Sequence, residues 1–207
     1  MTLHDEIWAS LPAERPPDPL ALDFALEAVR AAGDDVRAVR VLDVGSGDGR
    51  VAAALARAGA TVSGVDPSEV ALALARAAHP QLDLRRPGPE GRLPYGDGEI
   101  DVVLCLEVLQ HVADTQRLLS EIRRVLVPGG TLALTVPWHG RVKGALAALT
   151  SFERAHDPLE PVLRFFTSRS LGATLDALGF EAVELRGAGG LPMLRRRLLA
   201  RAVRGTP

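Results

Sequence analysis

Apolar residues recur along this chain in two periods. Val39-Arg40-Val41-Leu42-Asp43-Val44, Thr61 to Val65 and Ile100 to Leu106 are short, nearly continuous apolar runs, with Leu82 to Arg85 a weaker one. Runs of that length bounded by turn residues read as buried strands. Between them the apolar spacing changes to three and four. Leu22, Leu26 and Val29 share one helical face within 20–32, which Gly33 ends. Residues 50–58 read as an alanine-rich helix stopped by Gly59, and 69–78 as a helix opened by Pro67-Ser68. Leu118, Leu119, Ile122, Val125 and Leu126 make 114–126 amphipathic, and Pro128-Gly129-Gly130 turns the chain into a strand over Thr131–Val136. Such alternation predicts parallel pairing through right-handed crossovers, an open α/β sheet.

The two ends follow the pattern less closely. Residues 1–20 read as irregular, because Pro12, Pro16, Pro17 and Pro19 break any long helix. Beyond Trp138, 141–155 reads as a helix over the sheet edge and 156–166 as a loop. Ser168 is expected to cap a helix over 169–178 that ends at Gly179, and Phe180 to Leu185 reads as a sixth strand. Leu198 to Arg204 is read as a seventh strand, with a basic amphipathic helix as the alternative. No internal linker divides the chain, so residues 1–207 read as one domain.

Composition narrows the classes. With 47% hydrophobic and 24% charged residues the chain has the make-up of a soluble globular domain. No apolar run approaches the ~20 residues of a membrane span. No charged-then-apolar leader opens the sequence, and the single Cys105 permits neither an internal disulfide nor a cysteine-built metal site. The expectation is a cytoplasmic protein without a metal centre. A net charge of −2 gives no global footprint for nucleic acid. The charge is nevertheless uneven: residues 1–35 hold eight acids against Arg15 and Arg30, whereas 186–207 hold six arginines and no acid. That tail reads either as a solvated face or as a surface for anions or membranes.

The most informative stretch is Val41-Leu42-Asp43-Val44-Gly45-Ser46-Gly47-Asp48-Gly49, with Asp66 seventeen residues beyond it. A strand that turns tightly into a helix needs residues without Cβ, so that backbone can approach a ligand. An acid at the tip of the next strand can accept both hydroxyls of a ribose. The dinucleotide fingerprint Gly-x-Gly-x-x-Gly would require glycine at position 50, which is Arg50; the third glycine comes one residue early.

The Asp43-x-Gly45-x-Gly47-x-Gly49 arrangement resembles motif I of the class I S-adenosylmethionine-dependent methyltransferases of small molecules. Leu93-Pro94-Tyr95 with Ile100-Asp101-Val102-Val103 is similar to that family's "LPF…FDVV" passage, Glu107 to Val112 to its "EVLHHV", and Arg124 to Gly130 to its "RVLKPGG". Phe165-Phe166-Thr167 with Ser170-Leu171, then Leu178-Gly179-Phe180, resemble its "FT…SL…GF" passage. The resemblance implies a Rossmann-like, doubly wound, mostly parallel seven-stranded sheet in the order 3-2-1-4-5-7-6 with helices on both faces. It implies an N-terminal arm and helix (1–37), a cofactor-binding core (38–137), a substrate-covering insertion (138–167) and a C-terminal helix with strands (168–207). It also implies S-adenosyl-L-methionine as cofactor, S-adenosyl-L-homocysteine as product and a small molecule as substrate. The cofactor residues it implies are Asp43, Gly45, Ser46, Gly47, Gly49, Asp66, Pro67 and Leu106. Many relatives place Gly-Asp before the Leu-Pro pair to hold adenine; here Gly88-Pro89 stands there, and Glu90 is the candidate substitute.

Such chemistry aligns two reactants, and a general base helps only when the nucleophile must lose a proton. His111, just past the fourth strand, is the candidate base, with a structural histidine as the alternative. His139 and His156 are secondary candidates, and Glu107 reads either as a pocket acid or as a turn cap. Trp8 reads as a lid over the cofactor or as an anchor for the arm, and Cys105 as core rather than nucleophile. Nucleic-acid amino-methylation is disfavoured, since Cys105-Leu106-Glu107-Val108 stands where an Asn/Asp-Pro-Pro-aromatic motif would. A non-catalytic module of this fold and a nicotinamide-dependent oxidoreductase remain as alternatives.

Overall fold

The computed structural model describes residues 3–10, 15–140, 144–145, 149–150, 162–191 and 195–206. The elements in chain order are α1 (Leu3–Ser10), α2 (Pro19–Ala32), β1 (Arg40–Val44), α3 (Arg50–Arg57), β2 (Thr61–Val65), α4 (Glu69–Ala78), β3 (Asp83–Arg85), β4 (Ile100–Leu106), α5 (Thr115–Val125), β5 (Leu126–Pro137), α6 (Ser168–Ala177), β6 (Phe180–Ala188) and β7 (Arg197–Arg204). Among the described residues these strands form one sheet in the order β3-β2-β1-β4-β5-β7-β6. Pairing is parallel from β3 to β5, whereas β7 runs antiparallel to both β5 and β6. The expected order is therefore found.

Side-chain alternation explains why the central strands are apolar throughout. Leu42, Val44, Val103, Cys105, Leu132 and Leu134 point to one face, where α5 and α6 cover them with Leu119, Ile122, Val125, Leu171 and Leu175. Val41, Val102, Leu104 and Ala133 point to the other, against Phe24, Ala25, Ala28 and Val29 of α2 and Leu55 of α3. A strand buried on both faces has no solvent side to carry polar residues.

Several elements differ from the sequence reading. The N-terminal stretch is not wholly irregular: α1 occupies Leu3–Ser10, a segment ahead of the first proline. The buried stripe of α2 is Ala21, Phe24, Ala25, Ala28 and Val29, while Leu22 and Leu26 are only partly covered. Thr167, not Ser168, caps α6, in a reciprocal capping box with Ser170. Strand β5 begins at Leu126, because Pro128-Gly129-Gly130 is taken up as an irregularity beside Ile100–Val102 rather than as a turn before the strand. β6 extends to Ala188, and the seventh segment is a strand. Of the expected helix 141–155, 144–145 and 149–150 are described and helical, and His156 lies outside the described residues.

Neighbouring crossovers leave β1 in opposite directions, toward β2 and toward β4, so the carboxyl ends of these strands frame a crevice of the kind in which open α/β sheets bind ligands. Ile122, fully buried under this sheet, sets the cost of loosening it. Ile122→Ala is expected to lower the free energy of unfolding by about 2–5 kcal/mol, and partly buried Leu118→Ala by less, as read from urea denaturation.

Candidate active site

The turn between β1 and α3 is held to the tip of β2. The Gly45 and Ser46 N–H groups donate to the Val65 carbonyl at 2.7 and 3.2 Å, and Gly49 N–H donates to Ser46 O at 2.9 Å. Gly45 and Gly47 have φ of 76° and 54°, a conformation that costs glycine little and other residues more. Both are also crowded: a Cβ at Gly45 would overlap Val108, and one at Gly47 would overlap the Trp8 ring. The Ser46 hydroxyl is buried and has no hydrogen-bond partner among the described residues.

Two acids end the strands beneath this turn. Asp66 is buried, and its carboxylate accepts from Gly47 N–H at 2.9 Å and Ser68 N–H at 2.8 Å. The acid thereby ties the turn to the start of α4. Asp43 is buried, and no cation or hydrogen-bond donor answers it among the described residues. Burial first, and then the nearby charge of Asp66, push its carboxyl up to about 7.

The arm closes over the turn from outside. Trp8 of α1 packs on Gly47, and the Ser68 hydroxyl donates to Asp5 at 2.6 Å while accepting from Ala71 N–H as the cap of α4. Arg15 lies 3.1 Å from Asp48 and 5.9 Å from the Trp8 ring centroid. Arg50 also pairs with Asp48 and donates to Arg15 O at 3.1 Å. The sequence reading missed Asp5, Arg15 and Asp48. Its only pointer to this contact was Trp8, an aromatic in a polar segment.

A second group of polar residues lies at the ends of β4 and β5. Glu107 has φ of 57°, unusual for a residue with a side chain. Its carboxylate accepts from the Thr135 hydroxyl at 3.0 Å and pairs with Arg197 at 3.3 Å, which also pairs with Asp18 at 2.8 Å. Burial raises the Glu107 pKa against the opposing effects of Arg197 and Thr135. Gln110 is buried; its amide nitrogen donates to the Glu107 carbonyl at 2.9 Å and lies 3.2 Å from His111 Nε2. The Glu107 carbonyl can only accept, so the amide nitrogen of Gln110 faces it. The backbone carbonyl of Gln110 accepts from Leu163 and Arg164 N–H, which straps 162–166 across this end of the sheet. His139 stacks edge-on with Phe165 at 4.5 Å.

The remaining predicted residues fall in two places. Pro67 follows the end of β2 and Leu106 ends β4, Pro67 exposed and Leu106 partly covered. Glu90 stands apart on a short turn, 71% exposed, with its carboxylate paired to Arg117. Cys105 is buried in β4, where burial pushes its thiol up to about 12, so it is core. No group of three metal-ligating side chains occurs among the described residues.

A doubly wound sheet with a glycine turn and an acid on the neighbouring strand tip defines an adenosyl-binding α/β protein. Comparison with known proteins narrows this further. Residues 42–134 match the family model of the methyltransferase domain. The ubiquinone biosynthesis O-methyltransferase of Pseudomonas aeruginosa is 30% identical over 197 residues, covering 90% of this chain and 81% of that one. A longer relative from Mycolicibacterium smegmatis, an S-adenosylmethionine-dependent methyltransferase by name, is 33% identical over 162 residues; the match takes in 77% of this chain and spans 57% of that protein's length. The crystal structure of an S-adenosylmethionine-dependent methyltransferase from Mesorhizobium loti shares the fold at 23% identity, with a TM-score of 0.68 over 88% of this chain and 100% of that one. The chain belongs to the class I S-adenosylmethionine-dependent methyltransferases, and S-adenosylmethionine is the cofactor of that family.

The residues present suit that cofactor. A buried carboxyl without a cation and an orphaned serine hydroxyl leave negative charge and hydrogen-bonding capacity for a positively charged, phosphate-free ligand. Asp43 titrates near 3.8 in the unfolded chain and near about 7 in the fold, so the fold holds the extra proton between those values and loses stability as pH rises through them. Asp43→Asn cannot ionise. Its melting temperature relative to the parent is expected to rise from pH 5 to pH 8, and an offset independent of pH would contradict the burial of this group without a cation.

Proposed function

We propose that this chain transfers a methyl group, in line, from S-adenosylmethionine to a nucleophile on a small molecule. The observation that carries the reading is the buried pair Asp43 and Asp66 beneath a left-handed glycine turn. S-adenosylmethionine supplies a methyl group already activated on a sulfonium. The work left to the chain is to bind, orient and exclude water.

In this reading Asp66, at the tip of β2, accepts from the ribose hydroxyls, while Asp43 answers the positive charge of the amino-acid end. Gly45, Ser46, Gly47 and Gly49 give the close backbone approach, with Pro67 and Leu106 at the borders. Glu90, committed to Arg117, contributes little, and the adenine is held by backbone and shape. Trp8 closes the turn from outside, and its contact with Gly47 supports the lid role over simple anchoring. His111 meets the acceptor as base where a proton must leave, its ring oriented by the Gln110 amide.

A small-molecule acceptor is supported by the cover that 162–166 places over the β4 and β5 ends, and by Glu107-Val108 where nucleic-acid amino-methylases carry a proline-aromatic motif. The nicotinamide reading loses ground at Arg50, which opens α3 and is bound to Asp48 where the fingerprint would need glycine.

Titration calorimetry with S-adenosylhomocysteine tests the assignment. Asp66→Ala should weaken binding by about tenfold or more, the cost of losing hydrogen bonds to a charged acceptor, and Glu90→Ala by no more than about twofold. The opposite ranking would overturn the placement of the cofactor, and binding of NADH in preference would overturn the reaction. A methylation panel of small hydroxyl, amine and thiol compounds set against nucleic acid and protein tests the acceptor class.

A further inference from the structure

The arginine-rich tail is only partly accounted for by the fold. Arg186 pairs with Glu27, Arg201 with Glu184 at 2.9 Å, and Arg197 with Asp18 and Glu107; Arg204 donates to the Arg124 and Leu126 carbonyls. Arg195 and Arg196 are the exceptions. Arg195 reaches only the Gly190 carbonyl, at 3.1 Å, and neither faces a carboxylate among the described residues. Both sit at the base of the β6–β7 hairpin. β7 begins opposite Pro137, the carboxyl end of β5, so this hairpin stands at the same edge of the sheet as the glycine turn.

Exposed apolar side chains collect beside these two arginines. Leu191 is 70% exposed, Leu163 59% and Phe165 47%. Backbone hydrogen bonds join their segments into adjacent strips: His139 N–H to Phe166 O at 3.1 Å, Trp138 N–H to Arg196 O at 3.0 Å, and Arg196 N–H to Gly189 O at 3.0 Å. Four strips at strand spacing cover about 15 Å. Arg164, within the first strip, donates its guanidinium to the Val112 and Ala113 carbonyls and keeps its charge. The rim thus combines apolar tips with cations, in a chain whose net charge is −2.

We propose that this rim docks the carboxyl edge of the sheet onto an anionic lipid bilayer. Exposed apolar side chains on the same rim as unpaired cations suit an anionic fluid surface that closes around each one, whereas a protein partner needs a broad complementary face. Arginine stems lie along the apolar boundary with their charged heads among lipid phosphates, and unpaired arginines are the ones free to do so. Docked in this way, the ends of β4 and β5 and the strap 162–166 face the bilayer. No helix among the described residues is long and apolar enough to cross a membrane, so the contact is peripheral.

Co-sedimentation of the whole chain with vesicles tests this, using phosphatidylcholine alone and phosphatidylcholine mixed equally with phosphatidylglycerol. Binding is expected with the mixed vesicles, to weaken as salt rises, and to be slight with phosphatidylcholine alone. Arg195→Gln with Arg196→Gln should reduce affinity for the mixed vesicles by about thirtyfold, from about a fivefold contribution per arginine. Leu191→Asp with Leu163→Ser should reduce it at unchanged melting temperature. These positions are exposed, and calorimetry with S-adenosylhomocysteine confirms that each variant is folded, separating failure here from failure of the cofactor assignment. No binding to the mixed vesicles overturns the proposal, and so does binding that ignores lipid charge or survives both pairs of substitutions. Self-association in the absence of lipid that the same substitutions abolish assigns the rim to a second copy and also overturns it.

Discussion

Two carboxyl groups buried at the tips of adjacent strands, Asp43 and Asp66, are the constraint to which the carboxyl edge of this sheet answers. Burying one such group is costly unless hydrogen bonds or charge compensate it, and burying two side by side raises the cost of ionising either. The fold deals with them differently. Asp66 takes two backbone N–H groups and so becomes the fastening between the glycine turn and α4. Asp43 receives no hydrogen bond or cation from the described residues and is pushed up to about 7. One acid thus builds the turn while the other lacks a partner there, an asymmetry that a purely structural pair of caps would not need and that the proposed role of Asp43 toward a positively charged ligand would explain.

The same edge shows how a helix of eight residues can be held. α1 is too short to be stable alone and gains its order from three contacts on the site: Trp8 on Gly47, Asp5 on the Ser68 hydroxyl, and the following Arg15 on Asp48. Each partner belongs to the turn or to the start of α4. Anything that displaces the turn therefore displaces the arm. Under the proposed cofactor placement, arm order and cofactor occupancy would be linked through Gly47, Asp48 and Ser68, with no element between them.

Much of this was readable from residues alone, and the reasons are specific. β1, β4 and β5 lie between two helical layers, so their sequences must be apolar on successive residues, and such runs stand out. The glycine turn is visible because φ above zero leaves few residues to choose from. Other features leave no such trace. α2 packs closely on the sheet through Ala21, Ala25 and Ala28, so size decided burial, whereas the leucine spacing pointed to Leu22 and Leu26. α1 spans too few turns for a period to show. The fate of the tail arginines rests on acids as distant as Glu27 and Asp18, pairings set by the finished fold and not by local sequence. Asp43, Asp66 and the glycines converge as expected, while Glu90 shows that a carboxylate at a plausible position can be claimed by a neighbouring arginine.

The change from parallel to antiparallel pairing divides the labour along the sheet. On the parallel side every strand leaves its carboxyl end at one edge, which concentrates turns, acids and helix starts where an adenosyl group can be held. β7 runs against β5, so what it brings to that edge is its beginning, preceded by the hairpin from β6. A hairpin can extend past the sheet without disturbing the strands behind it, and here it carries Arg196 alongside Trp138, with Arg195 and Leu191 in the connection from β6. Arg197, the first residue of β7, joins the two halves. It spans Glu107 at the end of β4 and Asp18 at the cap of α2, so the strained backbone of Glu107 is held from the antiparallel side. The end of β4 is therefore held by both halves of the sheet, although only the parallel half carries the residues proposed to hold the cofactor.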